Sequence, residues 1–263
     1  TVFSEIRDRI PLHTPAATVP DRDQEINRRF LEFLDQRDPA RPFLGFLFYD
    51  GSHAYAYPEG APEPFQPVSP PIKHLELGPD TDPTPIRNRF LNAVHAVDVL
   101  AGEALDRLER DGLLSNTVVI ITGDHGQEFN DTGRGLWGHN SSFSRVQTDV
   151  PFLLHWPGRA PGVVDYPTSH LDVAPTLLRE ALGCAAPLED YCNGKLLFDP
   201  APRLPLIAAT WDAIALLSPG RIDVLSNRGD NEYLDENYQP IPTRTPPALI
   251  GTATRDMSRF YAK

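Results

Sequence analysis

Apolar residues recur at helical spacing from Asp21 to Arg37, where Ile26, Phe30, Phe33 and Leu34 share one face and Asp21 or Asp23 can cap the start. The next apolar stretch, PFLGFLFY at 42–49, has no polar interruption, which is the pattern of a strand covered on both faces. Prolines scattered from Tyr57 to Pro85 exclude regular structure there, because proline lacks the N–H that helix and sheet both need. An irregular stretch of that length is a functional cover or a disordered segment. Thr84 and Pro85 then read as the N-cap and first-turn proline of a helix. Its apolar stripe of Phe90, Val94, Val97, Leu100, Ala101, Ala104, Leu105 and Leu108 breaks near Gly112.

TVVIIT, at 117–122, predicts a second buried strand, and VPFLLHW, at 150–156, a third. Asp172 to Leu182 reads as a helix with Gly183 where a C-cap belongs. LPLIAAT, at 204–210, predicts a fourth strand. WDAIALL and RIDVLS, joined by Ser218-Pro219-Gly220, predict a hairpin with a turn longer than the tightest class. Strands alternating with helices imply an α/β fold with a mostly parallel central sheet and helices on both faces, followed by a small antiparallel β-rich part at 204–263. No internal repeat is present, and the only boundary visible is the start of that tail, so a single domain over 1–263 is expected.

The composition, 263 residues and 40% hydrophobic, is that of a globular chain. Asp plus Glu number 36 against 24 Lys plus Arg, a net charge of −12, and no basic stripe interleaved with aromatics occurs, so nucleic acid is not an expected partner. No apolar run approaches the roughly 18–20 residues that cross a bilayer, and the chain does not open with a charged region followed by an apolar one. A soluble piece is expected. Cys184 and Cys192, in GCAAPLEDYCNG, can form a disulfide in an oxidising compartment or stay small buried thiols; their spacing leaves both open.

Chemistry concentrates where the apolar run TVVIIT gives way to Gly123-Asp124-His125-Gly126. In open α/β sheets, ligands bind beyond the carboxyl ends of strands. A carboxylate and an imidazole on adjacent residues offer one hard oxygen and one borderline nitrogen, suited to zinc, manganese or magnesium. The other reading is a turn whose Asp caps local amides and whose His is exposed. His53, in DGSHAYAYP, follows another apolar run, and His139, in LWGHNSSF, belongs to the glycine-rich excursion that begins at Asp124. Imidazoles there can bind metal, donate to a phosphate or shuttle a proton. His95 and His155 fall inside predicted elements and read as packing or surface residues, and His170 as part of a helix start outside the site.

Asp124-His125-Gly126 after a strand, the GSH around His53, the GHN around His139 and SHLDVAPTLL from Ser169 together resemble the sulfatase branch of the alkaline phosphatase superfamily. The wording from Asn92 to Asp131 and from Trp137 to Gly158 is more similar still to the periplasmic domain of YejM-like inner-membrane proteins. The resemblance implies a divalent metal (Mn, Mg, Zn or Ca) held by Asp124 and His125, with His53 and His139 serving a second metal or the transferred group. Trp137 either lines that pocket or is a core aromatic. It further implies a phosphate- or sulfate-ester substrate or an anionic lipid partner, a periplasmic location and a transmembrane region elsewhere in the parent. Two functions follow: a metal-dependent ester hydrolase, or a non-catalytic lipid-sensing domain that regulates lipopolysaccharide and outer-membrane assembly, a role linked to cardiolipin. The sequence departs from the family pattern in lacking a CxPSR-like nucleophile segment before Pro42; Thr14 and Thr18, among prolines, are poor substitutes. Truncation, leaving half a metal site and an inactive chain, is the expected explanation. Arg28, Arg29 and Arg41 form either a lipid-contacting cluster or a solvated face.

Overall fold

The computed structural model describes residues 14–201 and 204–260. They form two compact units, one holding the described residues up to Ile121 with Leu153–Arg159, the other Thr122–Phe152 and the described residues from Ala160 on.

In the first unit, α1 (Val19–Gln36) starts earlier than its apolar pattern because Thr18 is the cap, its hydroxyl accepting the Asp21 N–H at 3.2 Å with Pro20 in the first turn. Asp23 is therefore released from capping. It is 2% exposed, and its carboxylate accepts the N–H groups of Asp50 at 2.9 Å and Gly51 at 2.8 Å. Those amides open α2 (Gly51–Ala54), the single turn that carries His53. Helix α3 (Thr84–Arg110) has Pro85 in its first turn, as expected, with Pro83 as the cap residue. Buried Asn27 links α1 to α3 by donating to Glu103 Oε2 at 2.7 Å while accepting from Tyr49 Oη at 3.0 Å.

PFLGFLFY departs from expectation. It forms no strand ladder among the described residues, and its half-buried and exposed positions largely alternate. Phe43 meets Phe33 edge-on at 5.6 Å, and a Cβ at Gly45 would lie 3.0 Å from Phe30 Cε2, so this face lies against α1. Leu44, Phe46 and Phe48 point away and are 84%, 67% and 57% exposed. Its continuous apolarity thus conceals a two-residue alternation within the described residues. The strands at the next two apolar runs form where expected, β1 (Val119–Thr122) and β4 (Phe152–His155), paired in a two-stranded sheet.

In the second unit, β2 (Glu128–Phe129) pairs antiparallel with β3 (Trp137–Gly138), and the short helix α4 (Arg145–Thr148) follows. The predicted helix from Asp172 is broken into a 3-10 turn (His170–Asp172), α5 (Val173–Thr176) and a π turn (Leu177–Ala181), before Gly183 at φ 67°. The tail is antiparallel as expected: β5 (Leu206–Ala209), β6 (Ala213–Ser218), β7 (Arg221–Ser226) and β8 (Glu232–Leu234) lie in sequence order, with α6 (Pro247–Ser258) after them. The β6–β7 turn is tighter than the sequence implied. Ser218 pairs with Arg221, which leaves Pro219 and Gly220 alone in the loop, Gly220 at φ 69°. Phe143, Ala215, Ile222, Val224, Leu234 and Tyr238 form the core against this sheet.

Two glycine substitutions in the first unit are expected to act with opposite signs. A Cβ on Gly51 would stand 2.9 Å from Asp23 Oδ2 and 3.0 Å from the Ala56 carbonyl. Gly51→Ala is expected to cost about 1–3 kcal/mol in urea denaturation. Gly102, inside α3 with nothing within 4 Å of such an atom, is expected to gain about 0.5–1 kcal/mol as Ala.

Candidate functional site

The second unit gathers three of the four residues singled out in the sequence. Asp124 and His125 follow β1 directly, with Asp124 Oδ1 3.7 Å from His125 Nε2 and 3.1 Å from the His125 amide, whose N–H it accepts. The His125 ring is fixed at its other nitrogen: Nδ1 lies 2.8 Å from the Gly126 carbonyl. A carbonyl can only accept, so Nδ1 carries the proton, and in the neutral ring Nε2 holds a lone pair facing the carboxylate. Two electron-rich atoms face each other across 3.7 Å, an arrangement that a shared cation stabilises. Donors at about 2.1 Å from one tetrahedral zinc lie about 3.4 Å apart, so the pair needs little adjustment to chelate. Among the described residues, no group of three or more His, Cys, Asp or Glu is disposed to hold a metal, so the pair supplies two donors.

Local chain geometry makes the pair possible. The Gly126 N–H donates to the Gln147 carbonyl at 2.8 Å, and a Cβ on Gly126 would lie 2.2 Å from the Val146 carbonyl oxygen. Only glycine lets the turn reach α4 this closely. His139 then stacks on His125, ring centroids 4.0 Å apart and planes 22° from parallel. Trp137, in β3, is half-buried, and its buried Nε1 has no hydrogen-bond partner among the described residues.

Glu128, which the sequence reading passed over, organises this excursion. It is 0% exposed and accepts from Ser142 Oγ (2.7 Å), Ser144 Oγ (3.1 Å), Gln147 Nε2 (2.7 Å) and Thr132 Oγ1 (2.5 Å). Burial alone would raise its pKa, but these four donors together outweigh it and hold the carboxyl below the usual glutamate range. They bracket His139 on both sides along the chain. The available signal was an acid followed along the chain by Thr, Ser and Gln donors, shared with its neighbours Asp124 and Asp131.

His170, placed outside the site in the sequence reading, lies with Nε2 3.2 Å from Thr122 Oγ1 at the exit of β1. His53 belongs to the first unit, its Nδ1 3.5 Å from Asp50 Oδ1. His155 Nε2 is bonded to the Leu114 carbonyl at 2.9 Å. Of the arginines considered for lipid contact, Arg28 pairs with Glu25 and Glu32 on its own helix and Arg29 pairs with Glu25, leaving a charge-balanced face. Cys184 and Cys192 are thiols, and burial pushes Cys192 up in pKa.

Residues 5–183 match the sulfatase family. Inner membrane protein YejM of Salmonella typhimurium is 29% identical over 177 residues, 66% of this chain and 29% of its own length. Choline-sulfatase of Rhizobium meliloti is 36% identical over 91 residues, covering 35% of this chain and 17% of that protein. The chain thus spans under a third of the length of these curated relatives. Among solved structures, the phosphonate monoester hydrolase of Agrobacterium radiobacter superposes with a TM-score of 0.66 at 17% identity, over 94% of this chain and 62% of that one. A protein in the alkaline phosphatase superfamily from Vibrio parahaemolyticus gives 0.60 at 17% identity, over 95% and 57%. The fold is that of the alkaline phosphatase and sulfatase proteins.

Removal of the Glu128 carboxylate tests its organising role. Glu128→Ala strands four donors and is expected to cost about 3 kcal/mol or more. Because its folded pKa is depressed, the wild-type contribution is complete above the unfolded value and lost as pH falls through the folded one. Acid denaturation below about pH 4 should therefore be shallower in Glu128→Gln than in wild type, as read by circular dichroism.

Proposed function

This chain belongs to the sulfatase family, and from that premise we propose that Asp124 and His125 form the cation-holding part of a metal-dependent phosphate- or sulfate-ester site. The observation that carries the reading is His125 Nε2 turned towards the Asp124 carboxylate, with the ring held at Nδ1 by its bond to the Gly126 carbonyl. A histidine whose other nitrogen donates to a backbone carbonyl has the tautomer and orientation that metal ligation requires. A divalent cation at this pair supplies charge that stabilises the equatorial oxygens of a transferring phosphoryl or sulfuryl group. Its identity among Mn, Mg, Zn and Ca is set by the remaining ligands.

The chain's own residues have separable tasks. Asp124 orients the turn through the His125 amide while offering its exposed carboxylate. His139, stacked on His125, is assigned to the anionic oxygens of the ester, where a ring proton can be donated. No nucleophile is assigned, because no CxPSR-like segment precedes Pro42. The likeness to an inner membrane protein favours a second reading: the site binds an anionic lipid headgroup without cleaving it, as a periplasmic sensing domain of a membrane-anchored parent.

Manganese titration, followed by the loss of the free-ion electron paramagnetic resonance signal, separates these ideas from a mere turn. Wild type should bind, and Asp124→Ala or His125→Ala should weaken binding about tenfold or more. Unchanged binding in both variants rejects the metal assignment. Flotation with cardiolipin vesicles and hydrolysis of p-nitrophenyl phosphate or sulfate then divide the two readings. Vesicle binding lost in His139→Ala without turnover supports sensing, and turnover lost in Asp124→Ala supports catalysis.

A further inference from the structure

We propose that His170 is a positioning residue for the Asp124–His125 pair, acting through Thr122 on the Gly123–Asp124 peptide; this rests on the cation-binding reading above. His170 Nε2 lies 3.2 Å from Thr122 Oγ1, and that hydroxyl lies 3.2 Å from the Gly123 carbonyl. The carbonyl can only accept, so the threonine proton is directed to Gly123 O and the threonine oxygen accepts from His170 Nε2–H. The chain of bonds ends on the carbonyl of the peptide whose nitrogen belongs to Asp124. Since that peptide is planar, fixing its oxygen fixes the direction in which the Asp124 amide leaves the strand. Gly123 gives the backbone wide freedom at this point, so an external hold has something to restrain.

The second observation is how firmly an exposed histidine is supported. His170 opens a 3-10 turn capped at both groups by Ser169 and Asp172, with Asp172 Oδ2 accepting the Ser169 N–H at 2.7 Å. Asp172 is 1% exposed, and its Oδ1 also accepts the Lys195 N–H at 2.7 Å. Thr176, fully buried, donates to the Asp172 carbonyl at 2.6 Å and accepts the Leu197 N–H at 2.8 Å. A Cβ on Gly194 would stand 1.9 Å from the Leu171 carbonyl oxygen, so two backbones meet there with no room for a side chain. The buried carboxylate, the buried hydroxyl and the glycine-only contact hold in place the turn that delivers an imidazole to a hydroxyl 48 residues away.

The test uses the full chain and two readouts. Manganese affinity should fall about tenfold in His170→Ala, with the melting temperature unchanged. His170→Gln, whose side-chain amide can donate to the same hydroxyl, should restore affinity to within about threefold of wild type. Thr122→Val should reproduce the loss, and the double variant should lose no more than either single one, because both break one chain of bonds. The Asp124 and His125 amide resonances supply the independent readout, and they should shift in His170→Ala and Thr122→Val alike. If wild type fails to bind manganese, the cation reading falls, while the amide shifts still decide the His170 contact. Unmoved amide resonances in His170→Ala, or additive losses in the double variant, overturn the proposal.

Discussion

The site depends on one hydrogen bond, from His125 Nδ1 to the Gly126 carbonyl, because it decides which ring nitrogen holds a proton. With the proton committed there, a neutral ring turns its Nε2 lone pair towards the Asp124 carboxylate 3.7 Å away, a donor pair suited to a cation. Reversing the tautomer would turn the same two residues into an ordinary hydrogen-bonded pair. The chemistry proposed here is therefore a consequence of backbone direction. The Gly126 carbonyl points at its own neighbour's ring because the Gly126 amide is tied to Gln147 and its α-carbon is pressed against Val146.

Around that bond the protein places buried acids as anchors. Glu128 draws Thr132, Ser142, Ser144 and Gln147 inward and so determines the path of the loop that lays His139 on His125. Asp172 does the same for the turn that presents His170, and Asp23 for the turn that presents His53. Each of the three is almost wholly buried and accepts several hydrogen bonds, which is the condition under which a carboxylate is tolerated away from water. Exposed functional groups are thus positioned by concealed ones, a division that favours rigidity without occupying the reactive surface.

How much of this was legible in the sequence varies with the range of the interaction. Helix α1, helix α3, strands β1 and β4 and the antiparallel tail follow from periodicity, because each element's pattern is local. The Asp124-His125 pair was legible for the same reason, being adjacent residues at a strand end. What the sequence could not supply were interactions between distant residues. Asp23 read as a cap because nothing local announced that its carboxylate would reach residues 50 and 51. Glu128 looked like one more acid in a polar loop, and His170 like a helix start. PFLGFLFY shows the opposite error: uniform apolarity implied two covered faces, whereas among the described residues only one packs on α1 while Leu44, Phe46 and Phe48 stay exposed.

The most direct test of the central claim is a long-range proton–nitrogen NMR spectrum of the His125 ring at neutral pH, recorded before and after addition of zinc. The account predicts a protonated Nδ1 throughout and an unprotonated Nε2 whose resonance moves when zinc is added. An Nδ1 that is unprotonated in the metal-free protein, or an Nε2 resonance indifferent to zinc, would contradict it.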